Sequence, residues 1–352
     1  MAEAGLSAAQ WVWVVGGVAG LTAVLAGGVR RYALQRGLMD VPNDRSSHHR
    51  PTPRGGGVAI AVAFFIAVAY LAGRGSTPSA VAAALLGGGL LVAAIGWADD
   101  HSHIPARWRA TVHGLAAVWA VWCLGGYSAL NIGVAVIPLG AWGSVLAVLG
   151  IVWLTNLYNF MDGIDGLAGG QAVVAGLGGA VLLWWVGAPG LAVVAAGLAA
   201  ASTGFLVWNW SPARLFMGDV GSGLLGYSFA VLALAGDNLG ALPVPIWGML
   251  LAIFILDATF TLVHRVVKGE PWYAPHRSHA YQRLTQMGWS HARVSVAVML
   301  IVLLVLFPSA ALAVFWPWLM FPLVLVLAAV GWWAWRKIQK QYAAESVGKV
   351  DS

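Results

Sequence analysis

The sequence predicts an all-α integral membrane protein, a polytopic bundle of about eleven transmembrane helices. Of its 352 residues, 60% are hydrophobic and only 9% are charged, whereas soluble domains are about 25% charged. The apolar residues also fall into runs of roughly 20, which is the length that crosses the hydrocarbon core of a bilayer. Because no polar stretch is long enough to form a separate soluble domain, we interpret residues 1–352 as one membrane-embedded domain.

Eleven apolar segments form the predicted spans. They cover residues 10–29, 56–73, 79–98, 109–126, 141–157, 167–186, 189–207, 221–236, 243–264, 292–315 and 318–335. The first segment has no basic residues before it and no small-residue cleavage site after it, so we expect a retained helix rather than a signal peptide. The stretch near 130–140 is too short to span, and we expect a short external hairpin there.

The basic residues predict the orientation. Connectors between the spans alternate sides, and 18 of the 19 Lys and Arg lie in, or within two residues of, the connectors of one side. Arg74 is the exception. Since cytoplasmic loops carry the excess of Lys and Arg, the N-terminus is expected in the periplasm and the C-terminus in the cytoplasm. The pI near 9.7 then reflects topology and anionic lipid headgroups, and it does not indicate a nucleic-acid partner.

Six aspartates lie at or inside the predicted cytoplasmic ends of spans, where an ionisable side chain is costly and usually functional. They are Asp99, Asp100, Asp162, Asp165, Asp219 and Asp257. A carboxylate at a helix C-terminus is unfavourable by about 0.3–1 kcal/mol, so stability does not select Asp99, Asp100 or Asp162. Structural alternatives stay open for two members. Asp219 is placed to be an N-cap, and Asp257 to pair with His264 or Arg265.

The stretch NLYNFMDGIDGLAGG, residues 156–170, places four polar residues between apolar segments. Asn156, Asn159 and Asp162 share a broad helical face, because successive residues advance by about 100°. Asp165 joins that face only if the helix breaks, and the adjacent glycines favour a break. We therefore predict that one helix ends near Asp162, that another begins near Leu167, and that a polar pocket forms at the inner membrane surface.

Two predicted cytoplasmic loops are basic. DVPNDRSSHHRPTPRGGG, residues 40–57, ends in three glycines, whose N–H groups at a helix start are expected to bind phosphate. Contact with the membrane surface is the alternative. KGEPWYAPHRSHAYQRL, residues 268–284, concentrates His276, Arg277, His279 and Arg283. No Cys or third His is near, which argues against zinc, so we interpret this loop as an anion contact.

Taken together, these features predict metal-dependent phosphoryl transfer between a nucleotide and a lipid. Carboxylate oxygens suit Mg²⁺ or Mn²⁺, and Mg²⁺ commonly bridges protein acids to substrate phosphates. The basic loops fit a polyanion, and a site at the bilayer surface is accessible to one water-soluble and one lipid substrate. A transporter would instead place charged residues near the bilayer midplane. The residues alone do not identify a sugar.

Several blocks together resemble the polyprenyl-phosphate N-acetylhexosamine-1-phosphate transferases. They are DVPNDRSSHHRPTPRGGG, GWADD, NLYNFMDGIDGLAGG, WNWSPARLFMGDVGS and HRSHAYQRL, and they span nearly the whole chain. The resemblance implies a multi-pass protein of the bacterial inner membrane with a cytoplasmic active site. It also implies the reaction of UDP-HexNAc with undecaprenyl phosphate to give undecaprenyl-diphospho-HexNAc and UMP. The CDP-alcohol phosphotransferases fit poorly, because DGIDGLAGG has no arginine at the required place.

The resemblance also implies roles for individual residues. Asp219 would hold Mg²⁺ together with Asp99 and Asp100, and Asp99 is favoured as the base toward the lipid phosphate. Catalytic residues would be Asp99, Asp100, Asp162, Asp165, His276 and His279. Substrate-binding residues would be Arg45, His48, Arg54, Asn156, Asn159, Asn209, Phe216 and Arg277, with Asn209 and Phe216 near the uracil. An aspartyl-phosphate intermediate is the alternative to direct transfer.

The last loop favours one branch of this family. The peptidoglycan enzyme carries a run of histidines there, whereas this chain reads HRSHAYQRL, which resembles the branch that initiates O-antigen synthesis. Donors in that branch include UDP-GlcNAc and UDP-linked deoxy sugars such as N-acetylfucosamine. Phospho-MurNAc-pentapeptide transfer stays the alternative. Relatives in this family can form homodimers, but nothing in this sequence selects an interface.

Overall fold

A computed structural model describes residues 8–42, 47, 50–102, 104–271 and 276–348, with side chains between residues 10 and 346. This part of the chain is predominantly helical. Its strands form two short antiparallel pairs, β1 (Met39–Asp40) with β2 (Thr52–Pro53), and β3 (Ala129–Asn131) with β4 (Val136–Pro138). The β3–β4 pair is the hairpin predicted near residues 130–140. The prediction of an all-α membrane protein is confirmed.

The helices of the first half end at the polar loop after residue 160. They are α1 (Ala8–Arg36), α2 (Gly57–Gly73), α3 (Ser79–Ala83), α4 (Gly89–Ser102), α5 (Ala106–Cys123) and α6 (Ala141–Phe160). A π-helical turn, Ala84–Gly88, joins α3 to α4 into one rod. The predicted break after α6 is confirmed, because the next helix begins at Leu167.

The helices of the second half follow in chain order. They are α7 (Leu167–Trp185), α8 (Pro189–Asn209), α9 (Asp219–Asn238), α10 (Val244–Leu250), α11 (Ala252–Val267), α12 (Ala280–Gln286), α13 (His291–Ile301), α14 (Phe307–Phe315) and α15 (Met320–Gly348). A π-helical turn, Val302–Leu306, joins α13 to α14, and a short 3-10 turn, Pro317–Leu319, precedes α15.

Each of the eleven predicted spans coincides with a helix or a joined pair of helices. Among the described residues, eight rods are long and apolar enough to cross a membrane, or nine if α10 and α11 form one span. The predicted span over 243–264 corresponds to α10 and α11, which meet at an angle of 84°. At this bend the side-chain amide of Gln171 donates a hydrogen bond of 3.0 Å to the Leu250 carbonyl, which lies beside the break.

Helix α9 is the centre of the bundle. Its residues from Val220 to Gly236 are all buried, and α2, α4 and α6 pack around it. Because α2, α4 and α6 pack around α9, polar side chains at the ends of these helices have fixed positions relative to one another. Asp219 is the first residue of α9, so its carboxylate lies where several helix ends converge.

Two glycines allow the neighbouring helices to approach the start of α9. A Cβ added at Gly57 would lie 2.1 Å from the backbone nitrogen of Gly221, and one added at Gly96 would lie 2.6 Å from that of Val220. The backbones of α2 and α4 therefore contact the first turn of α9 directly. This close packing is typical of membrane helices that meet through small residues.

We expect Gly57→Ala to lower the melting temperature of the purified protein, because the two backbones must separate to admit the methyl group. Overpacking of this kind typically costs about 1–3 kcal/mol. Gly150→Ala in α6 is the matched control, since no atom lies within 4 Å of its added Cβ, and alanine is the better helix former. Equal melting temperatures for the two variants would contradict the close approach of α2 and α9.

Candidate active site

Three helix ends converge on one polar cavity of about 340 Å³. Asp100 comes from the end of α4, Asp162 and Asp165 from the loop between α6 and α7, and Asp219 from the start of α9. The remaining lining residues are Asp40, Ser47, Arg54, Asn159, Gly163, Ile164, Phe216, Met217, Gly218 and Gln282. The sequence prediction of a polar pocket at this end of the bundle is confirmed in its main members.

Asp219 is held by two side-chain donors. Its Oδ1 accepts a hydrogen bond of 2.8 Å from Asn159 Nδ2, and its Oδ2 accepts one of 3.0 Å from Arg109 Nη1. The N-cap interpretation is wrong, because the capping position is Gly218, whose φ of 74° places it in the left-handed region. The Asp219 carboxylate is therefore directed by α5 and α6 rather than by its own helix.

Asp99 and Asp100 face different surroundings although they are adjacent. Asp99 Oδ2 accepts a hydrogen bond of 2.8 Å from Arg109 Nη1, and Asp99 Oδ1 accepts one from the Ile104 backbone N–H. Asp100 Oδ1 accepts a bond of 3.2 Å from the Asp219 backbone N–H, while its Oδ2 has no hydrogen-bond partner among the described residues. Asp100 thus lines the cavity, whereas both carboxylate oxygens of Asp99 accept hydrogen bonds from Arg109 and Ile104. The favoured role of Asp99 as base stays a prediction.

Asp162 and Asp165 have opposite electrostatic surroundings. Burial raises the pKa of Asp162 well above its usual value, and the carboxylates of Asp219, Asp100 and Asp165 raise it further. Burial also raises the pKa of Asp165, but hydrogen bonds to that carboxylate outweigh this effect and leave the pKa below its usual value. The ionised form of Asp162 is therefore disfavoured unless a cation lies nearby, whereas the Asp165 carboxylate is already compensated.

His291, the Ala213 backbone and the Ser211 side chain compensate Asp165. His291 Nδ1 lies 3.3 Å from Asp165 Oδ1, and the Ala213 backbone N–H donates a bond of 3.1 Å to Asp165 Oδ2. The other ring nitrogen of His291 lies 3.0 Å from the Ser47 carbonyl oxygen. Asp165 and His291 therefore join the α6–α7 loop to α13 and to the basic loop at residue 47.

We expect Asp165→Asn to lower the melting temperature at neutral pH, with an effect that disappears in acid. A carboxylate whose pKa is depressed on folding stabilises the protein above its unfolded value, about 3.9, and this contribution is lost as the pH falls through the folded value. The difference in melting temperature between wild type and variant should therefore narrow below about pH 4. A constant difference across pH 3–8 would contradict the ionic contribution of Asp165.

Two of the predicted asparagines lie outside the main cavity. Asn156 Nδ2 donates to the Val152 carbonyl at 2.7 Å, and its side chain lines a narrow adjoining pocket with Arg109 and His113. Asn209 is buried and fully bonded, since its Oδ1 accepts from the Gly166 N–H at 3.0 Å and its Nδ2 donates to a backbone carbonyl. Asn209 therefore fixes the loop behind the cavity wall, and its place near the uracil stays a prediction.

The basic loop before α2 contributes one described cation, Arg54, which lines the cavity beside Phe216. The Gly56 and Gly57 N–H groups donate to the carbonyls of Phe216 and Met217 at 2.9 and 2.8 Å. The expectation that these N–H groups are free to bind phosphate is therefore wrong. Arg45 and His48, two further predicted substrate contacts, lie outside the described residues.

Of the described part of the last basic loop, Gln282 lines the main cavity, whereas the basic side chains do not. His279 is 4% exposed, and its ring lies between those of Phe160 and Tyr281, with centroid distances of 6.5 and 5.7 Å. His276 and Arg277 line a second cavity. The catalytic roles predicted for His276 and His279 and the substrate contact of Arg277 stay predictions, and they would require this loop to reach the main cavity.

Asp257, in α11, binds the end of that loop. Its Oδ1 accepts a hydrogen bond of 2.8 Å from the Ala280 backbone N–H, and its Oδ2 accepts one of 3.3 Å from the Tyr281 backbone N–H. The expected pairing with His264 or Arg265 is wrong, because Arg265 forms its ion pair of 2.8 Å with Glu270. Asp257 thereby anchors the start of α12 to α11.

Arg109 and His291 were not predicted from the sequence. Arg109 lies ten residues after Asp99, at the start of α5, and the basic character of that segment was interpreted only as an indicator of topology. His291 lies 126 residues after Asp165, at the start of α13, and no local pattern connects the two. Both become recognisable only when the helix ends are brought together.

The cavity fits a divalent cation that substrate phosphates help to bind. Within the described part of the chain, no group of three or more His, Cys, Asp or Glu side chains is arranged to hold a metal ion. Mg²⁺, however, is usually bound by one or two carboxylates and completed by phosphates and water. Asp219 and Asp100, with its unpartnered Oδ2, are suitable oxygen ligands of that kind.

Comparison with known proteins identifies the family of this chain. Residues 82–237 match the family described as Glycosyl transferase family 4. A probable undecaprenyl-phosphate N-acetylglucosaminyl 1-phosphate transferase of Bacillus subtilis is 33% identical over 286 residues, covering 78% of this chain and 76% of the relative. A decaprenyl-phosphate N-acetylglucosaminephosphotransferase of Mycobacterium tuberculosis is 32% identical over 338 residues, covering 85% and 82%.

A third relative has a related function in its name. The undecaprenyl-phosphate alpha-N-acetylglucosaminyl 1-phosphate transferase of Escherichia coli is 29% identical over 285 residues, covering 77% of this chain and 75% of the relative. The family match over residues 82–237 includes α4 through almost all of α9, and the ends of these helices form the cavity. The chain therefore belongs to the polyprenyl-phosphate N-acetylhexosamine-1-phosphate transferases of glycosyl transferase family 4.

Proposed function

We propose that this protein transfers HexNAc-1-phosphate from a UDP-HexNAc donor to undecaprenyl phosphate, giving undecaprenyl-diphospho-HexNAc and UMP. The observation that carries this proposal is the convergence of Asp100, Asp162 and Asp219 with Arg54 on one cavity. Carboxylates and a cation in one cavity suit a metal-bridged diphosphate. The relatives named above act on polyprenyl phosphates, which supports a lipid acceptor at the same place.

The chemistry we propose is direct phosphoryl transfer. An oxygen of the lipid phosphate forms a bond to the sugar-bound phosphorus, and the bond from that phosphorus to the UMP oxygen breaks. A phosphate monoester has a second pKa near 6, so the acceptor is mostly dianionic at pH 7 and needs little help from a base. Positioning and neutralisation of charge should therefore dominate catalysis.

Different residues of the chain would bind the metal, neutralise the phosphates and position the loop. Asp100 and Asp219 would bind Mg²⁺, which when present would neutralise the phosphate oxygens of donor and acceptor. Arg54 lines the cavity and Arg109 lies behind Asp219, so both add positive charge close to the phosphates. Asp165, bonded to His291 and Ala213, keeps the α6–α7 loop in position.

We expect UMP release that depends on both the acceptor and a divalent metal. Membranes containing the protein would be supplied with undecaprenyl or decaprenyl phosphate, Mg²⁺ and a panel of UDP-sugars, and both UMP and lipid-linked sugar would be measured. EDTA should abolish both products, and added Mg²⁺ or Mn²⁺ should restore them. Release of UDP instead of UMP would contradict the proposal, because it would mean transfer of the sugar alone.

The stereochemistry at phosphorus tests the number of steps. Direct transfer inverts the configuration of a donor that is chiral at the sugar-bound phosphorus, whereas an aspartyl-phosphate intermediate gives two inversions and net retention. Direct transfer is favoured because Asp99 is already bonded to Arg109 and the Ile104 N–H. Net retention in the lipid product would require the two-step route, with an aspartate as the nucleophile.

We also propose that the protein lies in the bacterial inner membrane, with this cavity on the cytoplasmic side, and that its product initiates O-antigen or a related surface polysaccharide. The segregation of Lys and Arg to one side supports the orientation. GlcNAc is the first sugar to test, since it is the one in the relatives' names. Turnover of UDP-MurNAc-pentapeptide would instead favour the peptidoglycan reaction.

A further inference from the structure

A second cavity lies on the far side of α12 from the candidate active site. Its volume is about 640 Å³, and it is enclosed by the end of α11, the loop before α12, α12 itself and the last turns of α15. Gln282 lines the active-site cavity, whereas its neighbour Arg283 lines the second one. The short helix α12 is therefore a wall between two separate cavities.

The second cavity is strongly cationic. Four permanently charged side chains line it, Arg265, Lys268, Arg277 and Arg283, and Glu270 is the carboxylate among its described lining residues. Glu270 forms its ion pair with Arg265, so the lining carries a net charge of about +3 from these groups. His276 adds none at neutral pH, because burial and the neighbouring His279 and Arg265 lower its pKa to about 4.

Two of these arginines are only partly satisfied by protein acceptors. Arg265 is 8% exposed, and its Nε has no hydrogen-bond partner among the described residues. The Nε of Arg283 is likewise buried and unpartnered in the described structure. A buried N–H without an acceptor costs about 1–3 kcal/mol, so a rearrangement that brings either guanidinium against a ligand oxygen would be favourable.

Helix α15 closes the cavity and holds its basic wall. Gln339 Nε2 donates a hydrogen bond of 2.7 Å to the Ser278 carbonyl, and the Arg283 guanidinium lies 3.8 Å from the ring centroid of Tyr342. Arg283 also donates to Gln286 at 2.9 Å. These contacts pre-organise the guanidinium, which reduces the entropy that a ligand would lose by ordering it.

We propose that this second cavity binds the phosphate group of an anionic molecule at the membrane surface. Guanidinium groups match the oxygens of a phosphate with paired N–H donors, and basic pockets between helices at the cytoplasmic face suit anionic lipid headgroups. The phosphate can belong to an anionic phospholipid or to a soluble phosphate compound other than the UDP-sugar donor, since the same donors recognise both. The cavity lies at the end of α11 and α15, so both sources can reach it.

The test uses the full-length protein in nanodiscs of phosphatidylcholine with or without phosphatidylglycerol, and native mass spectrometry counts the lipids that stay bound. We expect one tightly retained phosphatidylglycerol in wild type. Arg283→Gln and Lys268→Gln should each weaken its retention about tenfold or more, the effect of losing a charged hydrogen bond. Lys340→Gln is the matched control, because Lys340 is exposed on α15 and does not line the cavity.

A second arm distinguishes the sources of the phosphate. If inorganic phosphate raises the melting temperature of wild type in phosphatidylcholine nanodiscs, and Arg283→Gln removes this effect, a soluble phosphate ligand is supported. Equal lipid retention in Arg283→Gln, Lys268→Gln and Lys340→Gln, with no effect of phosphate, would overturn the proposal. Displacement of the lipid by UDP-HexNAc would also overturn it, by assigning the cavity to the donor. Lys268 is exposed, so its variant keeps the test valid if Arg283→Gln misfolds.

Discussion

Asp219→Asn should lower kcat/KM by about 10²–10³-fold while leaving the protein folded. Metal stabilisation of phosphoryl charge is worth several kcal/mol, and each 1.36 kcal/mol corresponds to a tenfold change in rate. Asparagine keeps the size of the side chain and one oxygen, but it removes the charge that Mg²⁺ requires. The apparent Mg²⁺ concentration for half-maximal activity should therefore rise together with the loss of rate.

Asp237→Asn is the matched control for this measurement. Asp237 is at the opposite end of the same helix, α9, where its Oδ2 accepts a hydrogen bond of 2.7 Å from the Tyr127 hydroxyl. This variant makes the same chemical change about five turns away from the cavity and should keep wild-type kcat/KM. Full activity of Asp219→Asn, with an unchanged Mg²⁺ requirement, would show that Asp219 is not a metal ligand.

The sequence was sufficient to predict the helical membrane fold and the set of acids at one end of it. Hydrophobic runs of span length and the placement of Lys and Arg are strong local signals. The break between α6 and α7 was also predictable, because Gly163 and Gly166 follow a helix that carries polar residues on one face. These features depend on residues close together in sequence.

The details that could not be predicted depend on contacts between distant segments. The bend between α10 and α11 has no proline at the break, and Gln171, which bonds to Leu250 there, belongs to α7. The N–H groups of Gly56 and Gly57 seemed available for phosphate, but the chain near residue 216 occupies them. Sequence spacing cannot show which backbone donors are already taken.

The basic residues of the last loop are a second case in which sequence spacing does not determine side-chain contacts. Four basic residues within eight positions indicate anion binding, but they do not indicate which face of α12 each side chain will take. In the structure His279 is buried against aromatic rings, whereas Arg283 and Arg277 face the second cavity. The four basic residues that are clustered in the sequence thus have different surroundings in the fold.

The second large effect is expected for Arg109, which joins two of the acids. One of its nitrogens, Nη1, lies 2.8 Å from Asp99 Oδ2 and 3.0 Å from Asp219 Oδ2, while its Nε is buried and has no partner among the described residues. A cation in this position compensates the two carboxylates and adds positive charge where phosphates would gather. Charged donors directed at developing phosphate charge are often worth a factor of about 10²–10³ in rate.

We therefore expect Arg109→Gln to lower kcat/KM by about 10²-fold or more, with Arg109→Lys between it and wild type. Lysine restores the charge, but its ammonium is a strongly hydrated point charge on a flexible stem, so it reproduces the contacts of Arg109 Nη1 only in part. Arg107→Gln is the control, since Arg107 is exposed on the same helix and its charge lies over the Trp108 ring.

The melting temperature separates catalysis from folding in this series. A partly exposed ion pair contributes about 0–1 kcal/mol to stability, and the Arg109 side chain is 34% exposed. Arg109→Gln should therefore unfold within a few degrees of wild type although its turnover falls steeply. If its rate equals that of Arg107→Gln, Arg109 only balances charge in the resting protein, and the carboxylates reach their working geometry without it.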